Sequence, residues 1–178
     1  MADKKIIFFD GNGTLWYPKA TKYSCAPHWI YKNPITAKNP NKYLILTPKV
    51  KDTLKKLKEQ NIIAVILLTH PHPPKEARKI LLEKTNHFKI TSLFDEIHAT
   101  KNYFEAKGEH IINILNKRKI PKKYALMIGD QYLWDYKPAK DIGVDAFLID
   151  SIYRKASPDG KRIKRTIKKL SYILNCLN

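Results

Sequence analysis

The stretch "IIFFDGNGTLWYP", Ile6 to Pro18, decides how the rest of the chain is read. An apolar run meets Asp10 without interruption, the pattern of a strand buried on both faces that ends at a polar edge. Gly11 and Gly13 let the backbone turn tightly and bring N–H groups toward an anion. Two residues after Asp10, where a second carboxylate would complete an acid–base pair, stands Asn12. Taken alone, the segment also fits a strand-end acid that caps a turn.

The same pattern recurs downstream. "NIIAVILLT" is a continuous apolar run ending at Thr69, and "KYALMIGD" is another ending at Asp130. "DAFLID" reads as a further buried strand, and Glu96 to His98 as a short one. Between them lie helical segments: one opened by Thr47 as N-cap with Pro48 in its first turn and ending near Gln60, then Pro74 to Lys84, about Gly108 to Arg118, and Trp134 to Ile142, stopped by Gly143. Strands alternating with helices predict an α/β, Rossmann-like, doubly wound parallel sheet covered on both faces. In such sheets ligands bind outside the carboxyl ends of the strands, where Asp10, Thr69 and Asp130 gather, with Asp135 in the loop after Asp130. Carboxylates converging there need a cation between them. Oxygen ligands with a phosphate nearby suit Mg²⁺, and Lys107, at a helix start, reaches the same edge.

Residues 16–46 differ in composition. They hold four prolines, five lysines, no acid and scattered aromatics, which predicts an irregular or hairpin insertion. At the other end, Ile163, Ile167, Leu170, Leu174 and Leu177 fall at helical spacing, with Lys161, Arg162, Lys164, Arg165, Lys168 and Lys169 turned away from them. This predicts a basic C-terminal helix over residues 160–177, read as a solvated outer face.

The chain has 178 residues, long enough for one domain with a sizeable core. No apolar run approaches the roughly 20 residues that span a bilayer, and "MADKKIIFFD" lacks the features of a signal peptide. A cytoplasmic location without membrane association is expected. Cys25 and Cys176, near opposite ends, read as free thiols, and no Cys-x-x-Cys supports zinc or redox chemistry. The net charge of +18, from 34 basic and 16 acidic residues, draws phosphorylated molecules or polyanions. No nucleic-acid motif accompanies it, so weak binding at most is expected, and a basic, solvated surface is the preferred explanation of the charge.

Four of these segments together resemble the haloacid dehalogenase-like (HAD) superfamily. "DGNGTLW" is similar to its first motif at every fixed position except the second Asp, "VILLT" to its second, Lys107 to its third and "MIGDQYLWD" to its fourth. The order holds from Lys4 to about Asp150. The Thr-Leu-Trp after the first motif, the short aromatic insertion and Lys107 with His110 three residues on most resemble the magnesium-dependent phosphatase type of subclass III. The resemblance implies one domain over residues 1–178, with 16–46 as a minimal cap or flap. It implies an Mg²⁺-dependent phosphatase that cleaves phosphate monoesters through an aspartyl-phosphate on Asp10. Asp10, the Asn12 backbone carbonyl and Asp130 would hold Mg²⁺, with Asp135 ligating through water or orienting the others. Thr69 and Lys107 would hold the phosphoryl oxygens. Gly11, Gly13, Trp16 and His70 are the expected substrate contacts. An open site admits a phosphorylated small molecule, a phosphoprotein or a nucleic-acid end, and nothing in the sequence fixes the oligomeric state.

In the family pattern the second Asp protonates the leaving oxygen and then activates water. Asn12 can do neither, a change that typically costs about 10²–10⁴-fold in rate. Three readings fit: substrates with good leaving groups, a nearly inactive homologue, or a residue altered to trap a bound state. The rival from another class is a catalytically weak or inactive protein of this fold that binds phosphorylated or nucleic-acid partners through its basic surface. His70 and His72, around Pro71, read as a rim loop that either contacts substrate or is solvated, more than as a metal site.

Overall fold

The computed structural model describes residues 3–19, 30, 33–69, 73–100, 107–155 and 157–177. Its main sheet has six parallel strands: β1 (Ile6–Phe9), β4 (Ile63–Leu68), β5 (Glu96–Ala99), β6 (Ala125–Gly129), β7 (Asp145–Ile149) and β8 (Thr166–Ile167). Their order is β5-β4-β1-β6-β7-β8. The chain moves outward from β1 to β4 and β5, then returns to the other side of β1 for β6 and beyond. That reversal places a crevice at the carboxyl ends of β1 and β6. Register carries it to the residues that matter: Phe9 lies beside Ile128, and the Asp10 N–H donates to the Ile128 carbonyl at 2.9 Å.

The helices that connect these strands are α1 (Val50–Glu59), α2 (Pro74–His87), α3 (Lys107–Arg118) and α4 (Lys137–Asp141). Alternation along the central strands feeds two cores. Ile7 and Phe9, with Ile66 and Leu126, pack with Leu54 and Leu57 of α1 and Leu81 of α2. Ile6 and Phe8, with Val65 and Met127, pack with Ile111 and Leu115 of α3 and Ala139 of α4. Period-2 alternation with both faces apolar is why these strands read as continuous apolar runs.

Part of the insertion forms a hairpin ladder. β2 (Trp16–Pro18) pairs antiparallel with β3 (Leu44–Leu46), Trp16 opposite Leu46. Thr47, expected to cap α1, does something else: its hydroxyl donates to the Thr14 carbonyl at 2.7 Å and its N–H to Leu15 at 2.9 Å. The helix starts only at Val50, after Lys49 at φ 67°. Thr47 thus ties β3 to the loop after β1.

The expected C-terminal helix over 160–177 is not one helix. A short helix, Pro158–Arg162, ends at extended Ile163, β8 follows, and Leu170–Cys176 is a 3-10 helix. The open edge of β7 captures the chain: Leu148 N–H donates to Arg165 at 3.1 Å and Asp150 N–H to Ile167 at 2.9 Å. Of the expected apolar stripe, Ile167, Leu170 and Leu177 are buried while Ile163 and Leu174 are half-buried, and the 3-10 repeat of three buries Ile173 instead. The lysines and Arg162 that were placed on the outer face are exposed.

Opposite the crevice, at the amino edge of the sheet, a charge cluster pins the strand starts. Buried Lys4 donates to Asp145 Oδ2 at 2.7 Å and to the Lys123 carbonyl at 2.8 Å, and Arg165 Nη1 donates to Asp145 Oδ1 at 2.8 Å. Burial opposes charging Asp145, but the hydrogen bonds from Lys4 and Arg165 prevail and hold its carboxyl at about 2. A depressed carboxyl stabilises the fold above its unfolded value near 4, and that contribution is lost as pH falls through about 2. Asp145→Asn is expected to lower the unfolding free energy near neutral pH by about 2 kcal/mol, less than the ~3–5 kcal/mol of a fully buried pair because Asp145 is partly exposed. In urea titrations the variant should also lose less stability than the native protein as pH falls from about 4 to about 2.

Candidate functional site

Four ionisable side chains converge at the carboxyl ends of β1 and β6. Asp10 follows β1 directly, Asp130 follows β6, Asp135 sits in the turn after it, and Lys107 opens α3. One carboxylate oxygen from each of Asp10, Asp130 and Asp135 lies within 4.8 Å of the others. The Lys107 ammonium donates to Asp10 Oδ1 at 2.5 Å and to Asp135 Oδ1 at 2.6 Å. Asp130, Asp135 and Lys107 are each 1% exposed and Asp10 is 7% exposed, so Asp10 is the member most open to an arriving ligand.

Asp135 owes its place to an unusual turn. Tyr132–Tyr136 forms a π-helical turn before α4, where the sequence predicted one ordinary helix from Trp134. The wider turn drops the carboxylate back under the strand end, where Oδ2 accepts from Asp130 N–H at 3.1 Å and Gln131 N–H at 3.0 Å. Only a glycine permits this approach, because a Cβ on Gly129 would lie 2.2 Å from Asp135 Cβ. Both Asp135 oxygens are engaged, one by Lys107 and the other by the backbone of the Asp130 loop.

Three buried carboxylates face one Lys107, and the imbalance registers in their acidity. Burial pushes Asp10 up to about 7, with Lys107 opposing and Asp135 adding. Burial, then Asp10 and Asp135, hold Asp130 well above the usual carboxylate range. Burial works against the charge on Lys107, but Asp10 and Asp135 outweigh it and raise its pKa. Asp130 Oδ2 is buried with no hydrogen-bond partner among the described residues. An orphaned carboxylate oxygen beside the Asp10 carboxylate fits the oxygen chemistry of a hard divalent cation.

The other expected site residues are distributed as follows. Thr69 follows β4, and its Oγ1 is buried without a partner among the described residues, as a hydroxyl kept for a ligand would be. The Gly11 backbone N–H favours the charged Asp10 carboxylate, the smallest of the influences on its acidity. Gly13, at φ 83°, gives its N–H to the Trp16 carbonyl at 2.8 Å. Trp16, expected to line the pocket, is fully buried under the loop, and its Nε1 donates to Asn12 Oδ1 at 2.8 Å. His70 and His72 lie outside the described residues.

Lys84 was missed by sequence reasoning. It is 2% exposed on α2, its ammonium 5.2 Å from the Trp16 ring centroid, and burial lowers it to about 8 while Asp10 acts in the opposite direction. A signal was available: Ala77, Leu81, Lys84 and Phe88 follow the four-three-four spacing of a buried stripe, with a charge in the third place.

The haloacid dehalogenase-like hydrolase profile matches residues 21–149. No curated protein matches in sequence. Among solved structures, a predicted phosphoglycolate phosphatase from Haemophilus somnus aligns with TM-score 0.74 at 18% identity, over 100% of both chains. A haloacid dehalogenase-like family hydrolase from Streptococcus pneumoniae aligns with TM-score 0.71 at 16% identity, over 98% of this chain and 99% of that one. A subfamily IA hydrolase of the superfamily from Geobacter sulfurreducens aligns with TM-score 0.68 at 12% identity, over 98% and 97%.

Replacing Gly129 with Ala forces Asp135 out of its seat. The expected cost is about 1–3 kcal/mol, as for overpacking elsewhere, read from chemical unfolding. Unchanged stability would mean that Asp135 does not need that close approach. With its profile matched over most of the chain and the parallel sheet in place, this protein belongs to the haloacid dehalogenase-like hydrolases.

Proposed function

We propose that this protein is an Mg²⁺-dependent phosphatase that cleaves phosphate monoesters through an aspartyl-phosphate on Asp10. The observation that carries the reading is Lys107 clamped between Asp10 and Asp135 beside the orphaned Asp130 oxygen. Asp10, Asp130 and the Asn12 carbonyl would hold Mg²⁺, which when bound neutralises carboxylate charge and screens an incoming phosphate. Lys107 fixes one Asp10 oxygen, leaving the carboxylate oriented for in-line attack on phosphorus. Thr69 Oγ1 and Lys107 then hydrogen-bond the phosphoryl oxygens. The subclass III assignment rests on the motifs at Thr14–Trp16 and Lys107–His110 and on the short insertion, read as a minimal cap over residues 16–46. An open site of that kind takes a phosphorylated small molecule, a phosphoprotein or a nucleic-acid end. The net charge of +18 favours such anions and supports weak nucleic-acid binding as a second reading. No helix among the described residues is long and apolar enough to cross a membrane.

Two experiments test this. In a phosphatase panel with Mg²⁺, Asp10→Asn should fall to background, and Asn12→Asp should raise kcat on alkyl phosphates by about 10²–10⁴-fold. Silence from both wild type and Asn12→Asp would favour the binding protein. Raised carboxyls make the metal-free fold bind protons more tightly than the unfolded chain, so stability should decline as pH rises from about 4 to about 7. Mg²⁺ binds the deprotonated site, so its stabilisation in thermal melts should be larger near pH 8 than near pH 5, about 2.7 kcal/mol at a hundredfold excess over Kd, and absent in Asp130→Asn. An undiminished Mg²⁺ response in that variant would remove Asp130 from the metal site.

A further inference from the structure

Trp16 is held from three sides. Its ring stacks on Phe88, with centroids 6.0 Å apart and planes 20° apart, and the Lys84 ammonium lies 5.2 Å from its centroid. Against its edge lies Gly11, where a Cβ would stand 2.5 Å from Trp16 Cζ2. In this fixed ring the sole polar atom is Nε1, which reaches Asn12 at 2.8 Å.

That contact settles which way the Asn12 amide faces. An indole N–H donates and never accepts, so the atom opposite it is the amide oxygen. The Asn12 amino group is thereby the end of the amide turned from the indole N–H, and its two N–H groups remain the side chain's donors. At the position where the family pattern has a titratable oxygen, this chain therefore presents a fixed N–H donor. An amide N–H can hydrogen-bond a departing oxygen but cannot surrender a proton to it at neutral pH.

We infer that Trp16 is a positioning residue that locks Asn12 as a donor, and that the locked amide makes position 12 a selector for phosphorylated substrates whose leaving group departs unprotonated, such as acyl phosphates and aryl phosphate esters. The inference rests on the reading of Asp10 as the phosphoryl acceptor. In the first step an Asp10 oxygen bonds to phosphorus while the bond from phosphorus to the leaving oxygen breaks. The leaving group takes the electron pair and departs as a carboxylate or aryl oxide, hydrogen-bonded by Asn12 and accepting no proton from it. In the second step water adds to phosphorus as the Asp10–phosphorus bond breaks. The electron pair returns to Asp10, and phosphate leaves as H₂PO₄⁻ with both protons of the water. An alkyl phosphate is slowed at the first step, because an alkoxide needs a proton that the amide cannot give.

The test has two arms. In ¹H–¹⁵N spectra the Trp16 indole N–H, assigned through Trp16→Phe, should be protected from solvent exchange in the native protein. Protection should be lost in Asn12→Ala and retained in Asn12→Asp, whose carboxylate still accepts. This arm needs no turnover, and equal exchange in native protein and Asn12→Ala overturns the positioning contact. In the kinetic arm, with Mg²⁺, the native protein should turn over acetyl phosphate and p-nitrophenyl phosphate with kcat/KM about 10²–10⁴-fold above glycerol phosphate, the worth of the missing general acid. Asn12→Asp should narrow that gap. Trp16→Phe, which keeps the ring and loses the donor, should lower kcat on acetyl phosphate about tenfold with KM within about twofold. An unchanged kcat in Trp16→Phe overturns the positioning role. Turnover at equal rates on acyl and alkyl phosphates overturns the selectivity while leaving the phosphatase reading intact. Silence of both native protein and Asn12→Asp on all three substrates overturns that reading and the selectivity with it.

Discussion

Three carboxylates gathered within 4.8 Å repel one another, and the Lys107 ammonium, bonded to two of them, is the interaction on which the arrangement turns. Burial alone would strip the charge from each member of this group. Together they hold it, because Lys107 keeps its proton against desolvation through Asp10 and Asp135. One ammonium does not balance three acids, and the residue of that imbalance is visible in the raised Asp10 and Asp130 carboxyls. A site of this kind is a standing demand for cationic charge. It supplies a reason for both a divalent metal and an anionic substrate that arrives with one.

The sheet divides its labour between its two edges. At the amino edge, Lys4, Asp145 and Arg165 form an ion cluster with every partner satisfied, and it locks the starts of β1, β7 and β8. The carboxyl edge leaves buried oxygens on Asp130 and Thr69 without partners among the described residues. Satisfied charges hold a fold, while unsatisfied buried ones cost free energy and persist where a ligand completes them. The close approach at Gly129 and the π-helical turn that seats Asp135 belong to the same edge, where strained or irregular backbone concentrates near function.

Much of this was legible in the sequence. The apolar runs ending at Asp10, Thr69 and Asp130 pointed to the parallel sheet, because strands buried on both faces read as uninterrupted apolar runs, and they placed those three polar residues at its carboxyl edge. What escaped depended on tertiary competition. Thr47 has the sequence of an N-cap, but the Thr14 carbonyl claimed its hydroxyl. Residues 160–177 have helical spacing, but the open edge of β7 offered backbone partners that spacing cannot register. Trp16 reads as a pocket aromatic, yet Gly11 beside it leaves room for the ring to slide beneath the loop. Lys84 hid in plain view, since a lysine on an apolar stripe ordinarily snorkels to solvent.

The central claim is that Asp10 is the atom source of a covalent bond to phosphorus. The most direct measurement is chemical trapping: incubation with acetyl phosphate and Mg²⁺, rapid acid quench, borohydride reduction and peptide mapping by mass spectrometry. An acyl phosphate at residue 10 is reduced to homoserine at that residue, which is the result expected here. Homoserine at another aspartate, or turnover of substrate with Asp10 recovered unmodified under conditions that trap a control acyl phosphate, would contradict it.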